Sequence, residues 1–312
     1  MGSGYIVQRG GGKDYSVFQA LADRSITEVT AEMLDGASEI GKYAFYYCTS
    51  LTSIDIPNSV TRIMENAFYN CTSLSSVTIP SSVTSIGDSV FNYCPFRSID
   101  IPNSVTSIGS SVFYYSYLRS IDIPNSITSI PRYTFGDCRN LASVTIPSSV
   151  TSIGESAFIR CRSLTSITIP SSVTSFGSSA FSDCTSLASV TISNGVTSIG
   201  DSVFSNCTSL ISITIPSSVT SLGMYVFSNC TRITSITIPS SVTSIGYGVF
   251  SNCSALTSVT VEATTPPTLG NNVFLNTSGN LVIYVPSESV GTYKSASRWS
   301  TYADRIQAIP ST

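Results

Sequence analysis

Apolar side chains recur along most of this chain at fixed positions of a repeat of 22 or 23 residues. The phrase that begins at Leu51 reads LTSIDIPNSVTRIMENAFYNC, and nine later copies follow it. Self-similarity at such a period is the signature of a fold built from stacked structural repeats. The copies open at Leu51, Leu74, Phe96, Leu118, Leu141, Leu164, Leu187, Leu210, Ile233 and Leu256.

Three segments of each copy predict three local structures. Leu51, Ile54 and Ile56 show the alternation of a short strand with one buried face, and the proline that follows ends it because it cannot donate to a ladder. A second apolar pair ends at a glycine, as at Ile86 and Gly87, which predicts another extended segment and a turn. Phenylalanine and cysteine then stand three residues apart, the spacing of one helical or 3₁₀ turn.

The phenylalanine position counts the coils independently of the opening residue. Eleven of the 14 phenylalanines occupy it, which predicts about eleven coils. One coil buries too few apolar side chains to offset the entropy of ordering its backbone, so we expect stability to come from stacking. The eleven are Phe45, Phe68, Phe91, Phe113, Phe135, Phe158, Phe181, Phe204, Phe227, Phe250 and Phe274.

The pattern L-x-x-I-x-I-P-x-S-V-x-x-I-G-x-x-A/V-F-x-x-C resembles the short leucine-rich repeat of BspA-like bacterial and protist surface proteins. The resemblance covers roughly residues 26–278. It implies a right-handed leucine-rich-repeat solenoid, β-rich with short helical or 3₁₀ turns, and a role in adhesion or recognition. It also implies a cell-surface or secreted location, although the sequence shows no signal-peptide core and no anchor.

Both ends of the repeat region predict caps, because an open solenoid end exposes unpaired strands. We divide the chain into a leader and cap at 1–25, the solenoid at 26–278, and a strand-helix cap at 279–312. Residues 14–23 place Val17, Phe18 and Leu21 on one face of a predicted helix. At the other end LVIYVP predicts a last strand, and residues 287–309 predict a helix.

Composition narrows the classes of function. Charged residues make up only 11% of the chain, with 15 basic against 18 acidic side chains, so no positive field is available for nucleic acid. Histidine is absent, which excludes Ser-His and Cys-His nucleophiles and histidine zinc sites. No apolar run approaches the length that crosses a bilayer. We therefore expect no enzyme, no cofactor, no nucleic-acid partner and no membrane insertion.

The nine cysteines all occupy one position of the repeat, and Ser116 fills the only gap between them. No C-x-x-C occurs, so a thiolate metal site or redox pair is disfavoured. We expect a column of buried, reduced thiols. They are Cys48, Cys71, Cys94, Cys138, Cys161, Cys184, Cys207, Cys230 and Cys253.

Tyrosines gather in the early copies, mostly at the two positions between phenylalanine and cysteine, where later copies hold Ser-Asn or Ser-Asp. Tyrosine among serine and asparagine has the composition of a recognition surface, and it also suits stacking on sugar rings. Sequence drift at unconstrained surface positions is the alternative. The candidates are Tyr46, Tyr47, Tyr69, Tyr93, Tyr114, Tyr115 and Tyr117, with Tyr43 and Tyr133 nearby.

The outward positions of the first strand form a second candidate surface. They hold serine and threonine, which could bind sugars or ice-like surfaces, or could simply be β-favouring residues copied with the repeat. Asp100 and Asp122 break the pattern and should lie on adjacent strands, where like charges repel. We expect Arg97 and Arg119 to neutralise them, with a bound calcium or a basic partner group as alternatives.

Two main functional hypotheses follow. The first is a non-enzymatic binding or adhesion module that recognises a host or cell-surface protein or glycan through its solenoid surface. The second is a structural spacer or subunit of a larger surface or phage assembly. A third hypothesis, a hydrolase, is supported only by acidic pairs such as Asp100 and Asp122. The ligand, the compartment and the oligomeric state stay open.

Overall fold

The structure, a computed structural model, describes residues 17–18 and 25–311. The chain forms two compact units, residues 1–150 and 151–312. In each unit a coil consists of three segments: a first-face strand after the opening leucine, a second-face strand before the glycine, and a turn segment from the glycine to the cysteine. Residues 166–169, 175–176 and 177–184 are one example of each.

The strands of the first unit are short and parallel. On the second face five of them pair in chain order from Val17–Phe18 to Ser107–Ile108. On the first face the pairs are Glu28–Val29 with Ser53–Ile54, and Ser120–Asp122 with Ser143–Thr145. The three second-face strands between Val17–Phe18 and Ser107–Ile108 are Glu39–Ile40, Arg62–Ile63 and Ser85–Ile86, and Ser129–Ile130 is a further second-face strand. The one helix in the described part of this unit is a 3₁₀ helix at Ala31–Leu34.

The second unit repeats this arrangement with longer first-face strands. Its six second-face strands pair in parallel and are Ser152–Ile153, Ser175–Phe176, Ser198–Ile199, Ser221–Leu222, Ser244–Ile245 and Thr268–Leu269. Its first-face strands are Ser166–Ile169, Ser189–Ile192, Ser212–Ile213, Ser235–Ile238, Ser258–Val261, Val282–Val285 and Ile306–Ala308. The observed architecture confirms the predicted parallel solenoid.

The core of each unit is a set of stacked side-chain columns. The phenylalanine rings lie nearly parallel on their neighbours, with centroids 5.2–5.9 Å apart from Phe45 to Phe135 and 5.1–5.8 Å apart from Phe158 to Phe274. The phenylalanine column thus confirms five coils in the first unit and six in the second. Such ring pairs add to the free energy gained by burying the side chains.

The cysteine column is confirmed as buried and free of disulfides. Seven of the thiols donate to the carbonyl oxygen of the phenylalanine one coil earlier in the same unit, at 3.0–3.3 Å. Cys184, for example, donates to Phe158. Ser116, at the gap in the column, lies 3.1 Å from the sulfur of Cys138. Each of these seven thiols therefore satisfies a buried backbone acceptor as well as filling space.

The turn segment differs from the predicted helical turn. Its closing bond has the expected three-residue span, as from the Cys161 N–H to the Phe158 carbonyl at 3.2 Å. However, Ser156 and Arg160 have left-handed backbones, with φ of 53° and 57°, which no α- or 3₁₀ helix contains. Alternate N–H groups then bond the next coil, as from Phe158 to Ala180 at 2.8 Å. The turn segment is thus a third line of hydrogen bonds between coils.

The ends depart from the predicted caps. Val17 and Phe18 form a strand beside Glu39–Ile40 rather than part of a helix, and the rest of that predicted helix lies outside the described residues. The predicted last strand is confirmed at Val282–Val285. The helix predicted after it is instead broken by the left-handed Arg298, φ 65°. Its parts are Ser287–Ser289 (3₁₀), Val290–Ser295 (α), Trp299–Arg305 (3₁₀) and the strand Ile306–Ala308.

Candidate recognition surface

Hydrogen bonds between turn segments bring the early tyrosines together in the first unit. The Tyr47 N–H donates to the Tyr69 carbonyl at 2.8 Å, and the Tyr93 N–H donates to the Tyr114 carbonyl at 2.9 Å. Each bond joins the second position after phenylalanine in one coil to the first position after phenylalanine in the next coil. The side chains at these two positions therefore form adjacent columns. We call the resulting group the tyrosine cluster: Tyr43, Tyr46, Tyr47, Tyr69, Tyr93, Tyr114, Tyr115 and Tyr133.

Ring contacts link the cluster without interruption. Tyr46 stacks on Tyr69 with centroids 5.1 Å apart, and Tyr93 stacks on Tyr115 at 4.9 Å. Tyr69 and Tyr93 join the two stacks edge to face at 5.8 Å. The cluster is therefore one ordered aromatic surface that extends over five coils.

The rings are partly exposed, and three of their hydroxyl groups have a raised pKa. Tyr46, Tyr47 and Tyr93 have 36%, 37% and 38% of their surface exposed. Burial raises the pKa of Tyr69 and Tyr93, with neighbouring phenols adding to the effect. Burial, and then the nearby Asp137 carboxylate, raise the pKa of Tyr114 to about 12. Tyr69, Tyr93 and Tyr114 are thus held as neutral phenols, which both donate and accept hydrogen bonds.

An ion pair anchors one end of the cluster. The Asp137 carboxylate is fully buried, accepts a hydrogen bond from the Tyr114 hydroxyl at 3.2 Å, and lies 3.1 Å from the Arg139 guanidinium. That guanidinium stands 5.5 Å from the centroid of the Tyr115 ring. Sequence reasoning missed both residues. The repeat could have identified Asp137, because it occupies the position that Tyr93 and Tyr115 hold in earlier coils.

Tyr117 lies apart from the cluster. It follows Ser116 and therefore leaves the turn segment, and 55% of its surface is exposed. Among the residues that the structure describes, its ring forms no aromatic pair with a ring of the cluster. The structure thus brings together six of the seven candidate tyrosines predicted from the sequence.

The charged candidates lie on the first face of the same unit. Arg97, Asp100, Arg119 and Asp122 are all exposed, and the Arg119 N–H donates to the Arg97 carbonyl at 3.1 Å, so their coils are adjacent. Asp100 and Asp122 line one shallow depression, which the two arginines do not line.

The expected ion pairs between these arginines and aspartates are absent from the described part of the chain. The side chains are solvated, and exposed pairs gain too little to hold two long side chains together. Nor do the described residues contain a group of three histidine, cysteine, aspartate or glutamate side chains placed to hold a metal ion.

The serine and threonine positions of the first face form straight rows in the second unit. Ser166, Ser189 and Ser212 are register partners, as are Thr168 and Thr191. Their side chains are exposed. Threonines on the second face differ, because their hydroxyls donate to backbone carbonyls one coil earlier. That second set stabilises the stack, whereas the first set faces solvent.

Comparison with known proteins agrees with this architecture. The model for the BspA type leucine rich repeat region matches residues 38–165 and 151–282. A leucine-rich repeat protein from Bacteroides ovatus has 27% identity and a TM-score of 0.58, over 92% of this chain and 85% of that one. A leucine rich cell surface protein from Faecalibacterium prausnitzii has 34% identity and a TM-score of 0.53, over 76% and 73%.

A third solved structure, a leucine-rich repeat protein from Eubacterium ventriosum, has 25% identity and a TM-score of 0.54, over 87% of this chain and 80% of that one. No curated protein matches the chain. The comparisons indicate no catalytic family. Within the described residues no helix is both long and apolar enough to cross a membrane. The matched repeat model covers well over half of the sequence, and the chain therefore belongs to the BspA-type leucine-rich repeat family.

Proposed function

We propose that this protein is a non-enzymatic adhesion module that binds a protein or a glycan at a cell surface through the tyrosine cluster. The observation that carries the proposal is the backbone of three cluster residues. Tyr47, Tyr93 and Tyr115 have left-handed backbones, with φ of 60°, 61° and 62°. Residues other than glycine, asparagine and aspartate adopt this conformation at a cost of about 1–2 kcal/mol.

Most other coils avoid this cost at the same position. Seven of the eleven coils hold asparagine or aspartate there, and these residues tolerate the left-handed region. Tyrosine at three sites thus opposes the local backbone preference, and strain of this kind collects at functional sites. The position is constrained rather than free, which argues against drift. The seven are Asn70, Asp137, Asp183, Asn206, Asn229, Asn252 and Asn276.

A cell-surface setting is part of the proposal. One of the similar solved structures is named as a cell surface protein, and 34% of its aligned residues are identical to this chain. The turn segments that hold the tyrosines also contain half-buried serine and asparagine, such as Ser89 and Asn70, and this mixture is typical of recognition surfaces. A partner held on another cell or on a matrix is consistent with both features.

The test is a triple variant, Tyr47→Asn, Tyr93→Asn and Tyr115→Asn. Asparagine already occupies this position at Asn70 and Asn206, so the variant should keep the backbone and the fold. We expect binding to cultured cells, and to the protein or glycan ligands found on arrays with the native chain, to fall at least about ten-fold, since each anchor residue contributes about 1 kcal/mol or more.

The matched control is Tyr225→Asn in the second unit. Tyr225 is also left-handed, with φ of 57°, is 40% exposed and contacts a single ring, that of Tyr247. The control should bind as the native chain does. Equal binding by the triple variant would contradict the proposal, and a stable higher assembly of the chain without any external ligand would favour the structural spacer instead.

A further inference from the structure

We infer that the tyrosine cluster binds arginine side chains of a basic protein partner. This inference rests on the proposed function and specifies the partner of the same surface. It draws on three observations: a guanidinium that already contacts the cluster, a buried amide oxygen that has no hydrogen-bond partner among the described residues, and the distribution of charge along the chain.

The chain itself shows how the cluster receives a guanidinium. Arg139 places its guanidinium 5.5 Å from the Tyr115 ring centroid and within 3.4 Å of the Tyr115 hydroxyl. A planar guanidinium stacks on aromatic faces and donates to oxygens at its edge, which a lysine ammonium cannot do in the same way. Tyr46, Tyr47 and Tyr93 offer exposed rings of the same kind along neighbouring coils.

A buried acceptor lies within the same columns. Asn92 stands where Tyr69 and Tyr114 stand in the coils before and after it, since the carbonyls of all three accept from the preceding turn segment. The side chain is only 7% exposed, and its Oδ1 has no hydrogen-bond partner among the described residues. Such an atom is costly unless something pairs with it. Because χ2 of asparagine is a broad torsion, rotation of the amide would let its oxygen accept from an arginine donor that enters the cluster.

Charge favours a cationic partner on this unit. Residues 1–150 contain nine basic and twelve acidic side chains, whereas residues 151–312 contain six of each. The whole excess of negative charge therefore belongs to the half of the sequence that contains the tyrosine cluster. Complementary charge raises association rates and selects partners, even where it adds little affinity.

Ring orientation favours a side-chain ligand over a sugar. A glycan stacks on flat, open ring faces, but the faces of Tyr46 and Tyr69, and of Tyr93 and Tyr115, lie against each other at 5.1 and 4.9 Å. The parts of these four rings that a ligand can reach are mostly ring edges, single faces and hydroxyl groups. These groups suit a guanidinium, which needs one face and a few acceptors.

The test measures binding of two synthetic peptides to the full chain by fluorescence anisotropy: five Gly-Arg repeats and five Gly-Lys repeats, of equal charge. We expect the arginine peptide to bind at least about five-fold more tightly at physiological salt. The triple variant Tyr47→Asn, Tyr93→Asn and Tyr115→Asn should lose at least about ten-fold in affinity for the arginine peptide. The Tyr225→Asn control should lose nothing.

Asn92→Ser tests the buried amide separately. Serine occupies this column at Ser182, Ser205 and Ser228, so the variant should fold. We expect Asn92→Ser to lower the affinity for the arginine peptide several-fold and to leave the affinity for the lysine peptide unchanged. Equal binding of the two peptides, or unchanged binding by the triple variant, would overturn the inference. A glycan ligand that is lost in the triple variant, with no binding of the arginine peptide, would overturn it while leaving the proposed function intact.

Discussion

Several of the buried cysteines link packing to protonation. Burial raises the pKa of the Cys138, Cys184 and Cys253 thiols from 9.0 to about 12. Only the neutral thiol can donate to the phenylalanine carbonyl one coil earlier, as Cys184 does to Phe158. The folded state therefore holds its thiol protons at pH values where the unfolded chain has lost them, which links stability to pH.

The sign of that linkage gives a prediction. Because the unfolded thiols ionise near pH 9 and the folded ones near 12, the free energy of unfolding should be constant from pH 6 to 8 and should fall above pH 9. Each of the Cys138, Cys184 and Cys253 thiols contributes up to about 1.4 kcal/mol per pH unit in this window. Urea titrations followed by circular dichroism measure it.

Cys184→Ala provides the comparison for the thiol prediction. Other groups titrate in the same range, so the informative quantity is the difference in slope between the variant and the native chain. The variant should be less stable at pH 7 and should lose stability less steeply from pH 9 to 11. Parallel slopes would show that Cys184 keeps an ordinary pKa in the folded chain.

The turn segment is the element in which the backbone of this solenoid adopts left-handed conformations. Two left-handed residues per coil let alternate N–H groups bond the next coil, as from Asn229 to the Ser251 carbonyl at 2.9 Å. Asparagine and aspartate recur at the second of these positions because their short polar side chains tolerate the conformation. The first position holds serine in five coils, tyrosine in three, asparagine in two and glycine in one.

Asn229→Ala tests this account of the turn segment. Asn229 has a φ of 60°, so alanine there should lower the free energy of unfolding by about 1 kcal/mol, whereas Asn229→Gly should be neutral or stabilising. Asn194 is exposed and has no positive φ, so Asn194→Ala is the matched control and should change stability by less than about 0.5 kcal/mol. Equal losses in the two alanine variants would contradict a role for the left-handed backbone.

The repeat period sufficed to predict the strands, the phenylalanine stack and the cysteine column, because alternation and column identity follow directly from burial. The left-handed turn was not predictable from Phe-x-x-Cys, since that spacing fits several kinds of turn. The tyrosine candidates were found as outliers of the repeat. Their ring contacts, and the part played by Asp137 and Arg139, depend on the register between coils, which spacing alone does not determine.

At the scale of the whole chain, the last coil of the second unit needs a cover for its core. Trp299 and Tyr293 are fully buried there and contact each other with ring centroids 5.0 Å apart. The Trp299 Nε1–H donates to the Pro267 carbonyl at 2.8 Å, and the Tyr293 hydroxyl donates to the Ala263 carbonyl at 2.7 Å. Two aromatic side chains thus close the core and satisfy carbonyls of the preceding segment.

Trp299→Ala should therefore lower the free energy of unfolding by about 3–5 kcal/mol and increase aggregation, because it opens the end of the stack. Trp299→Phe keeps an aromatic ring and loses the hydrogen bond, so it should cost about 1–2 kcal/mol. Urea unfolding followed by circular dichroism, together with light scattering, measures both effects. Similar losses in the two variants would mean that the ring itself contributes little.

The turn segments also give each unit an electrical polarity. In the described coils the inter-coil backbone bonds donated by residues between the glycine and the cysteine run from an N–H of one coil to a carbonyl of the next, as from Phe204 to Val226 and from Phe250 to Val273. Peptide dipoles that point the same way add, as they do along an α-helix. One side of each stack therefore behaves like a long helix laid across the coils, with its partial positive charge toward higher residue numbers and its partial negative charge toward lower ones.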